Sequence, residues 1–236
     1  MGETVVISGV GPGLGAALAR RFAVEGCQIA LLARSGDYLD ALVDELDAAP
    51  GTVLAVPVDV TDPAAVTAAF ATVREAFGPV SVLVNNASDS ARKGVRDISI
   101  AEFEHAWRVA AVGSLLCTKA VLPDMLDAGR GTIIFTGATS SVRGREGAVG
   151  FSAAKFAVRG MAESMARELG PEGIHVAHVV IDGPIRDPTV TDAAVEGDPY
   201  QYLDPESIAN SYWHLVEQEP DSWTLELDVQ AHVETF

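Results

Sequence analysis

Short apolar runs and helix-patterned stretches alternate along the whole chain, and few folds accommodate that order. The runs Thr4–Ser8, Gln28–Ala33, Val53–Val58, Val80–Val84, Thr132–Thr136, Val176–Ile181 and Trp223–Leu227 read as strands. Several are β-branched without polar alternation, as in strands covered on both faces. The stretches Gly13–Glu25, Tyr38–Ala48, Pro63–Ala76, Ile100–Leu126, Gly150–Leu169 and Pro205–Glu217 read as helices. Thr61-Asp62-Pro63 is a start signal, a capping carboxylate followed by proline. The alternation predicts an α/β fold, a doubly wound parallel sheet. At 236 residues the chain can close one such core, so residues 1–236 are read as a single domain.

The first strand runs into Gly9-Val10-Gly11-Pro12-Gly13-Leu14-Gly15, and a helix follows at once. Glycines permit a tight turn and close approach of backbone to a pyrophosphate. The free N–H groups and dipole at the helix start then favour the negative charge. A glycine turn between strand and helix makes the sheet Rossmann-like and predicts dinucleotide binding.

Charge narrows the partners. The chain carries 33 acidic and 16 basic residues, a net charge of −17. Such a surface repels nucleic acid and anionic membrane, so neither is expected as a partner. No apolar run approaches a membrane span, and MGETVVISGV lacks the basic flank of a signal peptide. Cys27 and Cys117 read as buried free thiols, so a cytoplasmic location is expected. No metal site is expected. His175 and His178 are three apart on a strand and face opposite sides, while His105, His214 and His232 stand isolated. Gly-x-Ser-x-Gly, the nucleophile turn of α/β hydrolases, is absent.

With these residues placed, the chain resembles the short-chain dehydrogenase/reductase family over about residues 3–185. Gly9, Gly13 and Gly15 match its TGxxxGxG turn, with Ser8 for Thr. Asp59-Val60 follows the third strand, where the family's acidic residue holds adenine. Asn85-Asn86-Ala87-Ser88 resembles NNAG, and Phe151-Ser152-Ala153-Ala154-Lys155 resembles YxxxK. Asp182-Gly183-Pro184 lies where a PG pair follows the sixth strand. The resemblance implies a nicotinamide cofactor held by Gly9, Gly11, Gly13, Leu14, Gly15, Asp59, Val60, Asn85, Ala87, Lys155, Gly183 and Pro184. It also implies a small-molecule substrate and a homodimer or homotetramer. Arg34 ends the second strand, where an acidic residue would bond the ribose of NAD(H). An arginine there pairs with a 2′-phosphate, so NADP(H) is the expected cofactor and NAD(H) the alternative.

The family's proton chemistry is incomplete. Hydride arriving at a carbonyl leaves an alkoxide that needs a proton. The family supplies it from the Tyr, helped by the Lys, a Ser and a helix Asn. Here Lys155 remains, Phe151 stands at the Tyr position, Ala138 at the Ser position and Ala110 at the Asn position. A shift of one to three residues offers Thr139, Ser140 or Ser141 as hydroxyl, and Ser88, Asp89 and Ser152 are further candidates. Arg143 and Arg145 could steady an oxyanion. The expected catalytic set is therefore Lys155, Ser140, Ser141 and Phe151. Two readings stay open: an oxidoreductase with a rebuilt proton path, or a dinucleotide-binding sensor or partner subunit.

The loop Gly183–Asp204 is expected to line the substrate, with Asp187, Asp192, Glu196 and Asp198 opposed by Arg186. Trp213 and Trp223 are expected to pack near a sheet edge. Of the 16 basic residues only Lys93, Lys119 and Lys155 are lysines. An acidic, lysine-poor surface suits concentrated salt, where repulsion is screened within a few ångströms. A salt-adapted source predicts that the melting temperature climbs with ionic strength and that structure is lost on dialysis into low salt; a salt-independent melting temperature contradicts it.

Overall fold

The computed structural model describes residues 2–89, 92–186 and 202–233. Strand β1 (Thr4–Ser8) leads to α1 (Leu14–Val24), β2 (Gln28–Ala33), α2 (Gly36–Leu46), β3 (Thr52–Pro57) and α3 (Pro63–Phe77). The chain then forms β4 (Val82–Asn85), α4 (Ile100–Trp107), α5 (Gly113–Ala128), β5 (Gly131–Thr136) and α6 (Val149–Leu169). It closes with β6 (Ile174–Asp182), α7 (Pro205–Val216) and β7 (Glu226–Gln230). The seven strands are parallel, in the order β3-β2-β1-β4-β5-β6-β7. This is the doubly wound sheet expected from the alternation.

Two cores cover the two faces, and the period of two along each strand decides which residue joins which. Val5 and Ile7 of β1 face Phe22, Leu39 and Tyr212 from α1, α2 and α7. Val6 faces the opposite core, with Phe70, Cys117, Val121 and Val158 from α3, α5 and α6. All five β1 residues are buried, which explains the unbroken apolar run. Cys27 and Cys117 are buried free thiols.

Local signals set the helix ends. Asp62 caps α3, its carboxylate accepting from the Ala64 and Ala65 N–H groups at 2.8 and 3.2 Å, with Pro63 in the first turn. Ser99 and Glu102 form a reciprocal box at the start of α4.

Three expectations need correction. The helix expected over 100–126 is broken by a wide π-type turn at Arg108–Val112. There Val109 reaches the cleft described below, and Gly113 packs on Val60, where a Cβ would meet Val60 Cγ2 at 2.8 Å. The last strand starts three residues later than expected. Trp223 stacks on His175 with ring centroids 5.1 Å apart and its Nε1 donates to the Gln218 carbonyl, so it precedes the strand. The Ile100–Ala128 stretch is also long and apolar enough to cross a membrane, because Lys119 and Asp124 interrupt its runs without lowering its mean hydropathy below that level. In the fold, 44% of its most apolar window is buried.

The chain reverses its winding direction between β1 and β4, whose ends are in register at Ser8 and Asn85. A crevice opens outside the strand ends at such a reversal. Gly9 makes it possible. It has φ +93°, and a Cβ there would lie 2.3 Å from Ala87 N. Gly15 is also hemmed in, at 2.7 Å from Val10 Cα, whereas a Cβ on Gly11 or Gly13 would meet nothing within 4 Å. Gly9→Ala is therefore expected to cost about 2–4 kcal/mol in urea unfolding. Gly11→Ala is expected to change stability by less than about 0.5 kcal/mol. Equal losses at the two positions would contradict this division.

Candidate functional site

The crevice is a cleft of about 980 Å³. Its floor is the turn Gly9–Gly15, and its walls are the segments after β2 (Arg34, Ser35), β3 (Val58, Asp59, Val60) and β4 (Asn86 to Asp89). His105 of α4 and Val109 of the wide turn complete it. Helix α1 begins at the floor with no side-chain cap and no acidic residue in its first turn. Its positive end therefore faces the cleft unopposed by a local carboxylate. Gly11 and Gly13 present bare backbone there, and a side chain at either would occupy the cradle. This geometry fits a diphosphate.

The charged groups are few. Thr61 donates its backbone N–H and its hydroxyl to Asp59 Oδ1 at 2.9 and 2.8 Å. Those two bonds, with smaller help from Arg34 and His105, hold the Asp59 carboxyl below the usual carboxylate range. Asp59 thus stays ionised beside Arg34. Asp89 lies 3.4 Å from His105 Nε2.

The segment after β4 is sewn to the floor by Asn86, whose Nδ2 donates to the Gly9 carbonyl at 2.7 Å. Asn85, the residue expected at the cofactor, turns away from the cleft. Its side chain is buried and its Nδ2 donates to Thr118 Oγ1 at 3.3 Å. Asn86 and Ala87 form the wall instead. Alternation explains this, because neighbouring residues leaving a strand point to opposite faces.

The expected catalytic set, Ser140 and Ser141 after β5 and Phe151 and Lys155 on α6, does not line the cleft itself, whereas the further candidates Ser88 and Asp89 do. Lys155, on α6, is buried and its Nζ donates to the Thr136 carbonyl at 2.8 Å. Burial pushes its ammonium down to about 8. The Phe151 ring lies one helical turn earlier, its centroid 5.7 Å from Lys155 Nζ and 5.9 Å from the Arg92 guanidinium carbon.

Most hydroxyl candidates lie in the loop after β5 or on α6, while Ser88 stands exposed on the cleft wall beside Asp89. Ser141 Oγ accepts from the Ala138 N–H at 3.0 Å, and Ser140 is buried beside it. Ser152 Oγ accepts from the Arg145 N–H at 3.3 Å. Arg143 is spent on Asp182, at 2.7 Å, and Thr139 Oγ1 donates to the same carboxylate at 2.5 Å. Asp182 therefore ties the loop after β5 to the end of β6. Gly183 follows with φ +149°, and the Pro184 carbonyl accepts from the Leu203 N–H at 2.8 Å. Of the expected substrate loop, Asp187, Asp192, Glu196 and Asp198 lie outside the described residues.

Sequence reasoning missed Asn86, Arg92 and His105. His105 was expected to stand alone, yet it pairs with Asp89 on the cleft wall. Its spacing was the available signal, since His105 and Val109 are four apart. His175 and His178 do face opposite ways. His175 bonds the Leu215 and Thr224 carbonyls at 3.1 and 2.9 Å, and His178 Nδ1 meets Glu226 at 3.0 Å. Trp213 packs edge-on against Phe22.

The family profile described as short chain dehydrogenase matches residues 3–195. A 3-alpha-(or 20-beta)-hydroxysteroid dehydrogenase of Mycobacterium tuberculosis is 39% identical over 181 residues, which are 75% of this chain but only 66% of that protein. A short-chain dehydrogenase structure from Rhodopseudomonas palustris superposes with a TM-score of 0.83 at 33% identity, over 97% of this chain and 98% of that one. The L-sorbose reductase of Gluconobacter frateurii, in complex with NADPH and L-sorbose, gives 0.89 at 26% identity, over 100% and 98%. The match runs from the glycine floor through the cleft walls to the Lys155 helix, and by it the chain belongs to the short-chain dehydrogenase family.

Proposed function

We propose that the chain is an NADP(H)-dependent oxidoreductase acting on a small carbonyl or alcohol, with an altered proton-transfer site. The observation that carries this reading is the bare Gly11 and Gly13 backbone at the uncapped start of α1, with Arg34 on the adjoining wall. Gly9 to Gly15 would hold the diphosphate, Asp59 and Val60 the adenine, and Arg34 the 2′-phosphate. The NADPH and NADP complexes of structural relatives support that cofactor. When bound, the nicotinamide would supply or accept hydride.

Phe151 stands four residues before Lys155, where the family pattern has its Tyr, and it has no ionisable proton. Lys155 is the titratable group nearest the Phe151 ring, and we assign it to proton transfer. It is charged below about pH 8 and neutral above. Phe151 in place of an ionisable phenol favours a second reading, a dinucleotide-binding sensor or partner subunit. In it Lys155 serves the cofactor ribose only.

The outer faces of α4 to α6 expose Trp107, Leu115 and Phe156 at 40–44%. They suit a homodimer or homotetramer, and a light-scattering mass of one 24.7 kDa chain would contradict that assembly.

Titration calorimetry tests the cofactor. NADPH should bind at least about tenfold tighter than NADH, and Arg34→Ala should remove that preference, a loss of about 1.5–3 kcal/mol. Tighter binding of NADH in the wild type contradicts the assignment. Turnover with aldehydes and ketones then separates the readings. Phe151→Tyr with Ala138→Ser should raise reductase activity at least about tenfold if the pocket still presents a carbonyl to the hydride. Nucleotide binding with no turnover in either protein favours the sensor.

A further inference from the structure

Behind Lys155 runs a line of polar groups, from buried His178 to partly exposed Glu226 and Arg159, that the cleft does not use. Lys155 and Arg159 are one turn apart on α6 and both reach toward the sheet. Arg159 clamps the Glu226 carboxylate with two bonds, of 2.6 and 2.9 Å. Glu226 and His178 are direct neighbours in register across β6 and β7. Glu226 Oε2 lies 3.0 Å from His178 Nδ1, so Nδ1 carries the proton and donates it. That tautomer leaves Nε2 as an acceptor. His178 is almost wholly buried, and among the described residues its Nε2 has no protein partner.

The bare nitrogen has a definite position. A Cβ on Gly137 would lie 2.3 Å from it, so the imidazole packs on bare glycine backbone and only a glycine leaves it room. Gly137 is joined to Thr136, whose carbonyl receives Lys155 Nζ. The ammonium and the bare imidazole nitrogen thus flank one dipeptide, both on the α6 side of the sheet. The charged groups about His178 are Glu226 from β7 and Lys155 and Arg159 from α6, with Glu163 and Asp228 beyond Arg159. Burial, though Glu226 works against it, keeps the imidazole below its usual value and so neutral at pH 7. Burial also presses on Glu226, but its bonds from Arg159 and His178 outweigh that and keep it ionised.

We infer that His178 and Glu226 form a rear proton path for Lys155, with ordered water joining Nζ to His178 Nε2. An outgoing proton passes from Nζ through water to Nε2, the Nδ1 proton moves to Glu226, and the half-buried carboxyl releases it to solvent. The reverse sequence recharges Lys155. No bond other than those to hydrogen changes, and the imidazole returns to its starting tautomer by ring rotation or by the reverse transfer. Such a route relieves a specific difficulty. Lys155 is sealed from water, and Ala110 and Phe151 supply no polar relay on its cleft side. His178 and Glu226 are positioning residues here, since they act through Lys155.

The path rests on Lys155 being the proton carrier of the proposed function, but its test needs no nucleotide. With three lysines in the chain, protein labelled at lysine Cε gives a Lys155 signal that can be followed alone by NMR titration. His178→Phe should lower the Lys155 midpoint by about 0.5 unit or more, because the ammonium loses its water-bridged acceptor. His178→Gln, which keeps a polar atom there, should hold it within about 0.2 unit of wild type. An unmoved midpoint in a folded His178→Phe protein overturns the path, as does the same shift in both variants. If His178→Phe does not fold, a high-resolution crystal structure of the wild type decides. Water bonded to His178 Nε2 and leading to Nζ supports the path, and a dry Nε2 overturns it. A failure to bind nucleotide would instead strike the cofactor assignment and leave the titration result standing.

Discussion

The backbone of Gly9 lies against the backbone of Ala87, so close that no side chain fits between them. Much of the site follows from that contact. It joins the end of β1 to the segment leaving β4, the two strands between which the sheet reverses direction. Asn86 reinforces the join by bonding the Gly9 carbonyl. With the two strand ends pinned, α1 starts at the floor of the cleft with its first turn uncapped. An anion there gains from the helix dipole and from N–H groups that water alone would otherwise satisfy. The four glycines divide accordingly. Gly9 and Gly15 are needed for packing, and Gly11 and Gly13 for room.

A second organising element is the inward face of α6. It brings Lys155 to the carbonyl of Thr136 and Arg159 to Glu226, one turn apart. Lys155 leaves water to do so, which is unfavourable unless its partner is ionised or strongly polar, whereas Arg159 stays partly exposed. Arg159 has a carboxylate. Lys155 has one carbonyl, and its lowered proton affinity is the physical consequence. A neutral amine at alkaline pH and an ammonium at neutral pH are both accessible to it. That property suits proton transfer better than permanent charge.

Much of this was legible in the residues. The β/α alternation and the Gly9–Gly15 turn carry the sheet and the position of the cleft, because both depend on short-range pattern and backbone sterics. Arg34 was legible from its place at the end of β2 and Asp59 from the family resemblance, and both lie on the cleft walls. The limits of sequence reading lie in side-chain direction and in contacts distant along the chain. Asn85 and Asn86 look equivalent in sequence, yet one faces α5 and the other the cleft, a difference set by where β4 ends. The wide turn at Arg108–Val112 left no sign in a run that reads as continuous helix. The link from His178 to Glu226 spans 48 residues and exists only because β6 and β7 pair in that register.

In the proposed reading the uncapped start of α1 grips a dinucleotide diphosphate. Amide NMR of the full chain, recorded with and without NADPH at high ionic strength, tests it most directly. The N–H signals of Gly11, Gly13, Leu14 and Gly15 should move and exchange more slowly with solvent when the nucleotide is added. Unchanged signals from these four residues at saturating nucleotide would contradict it.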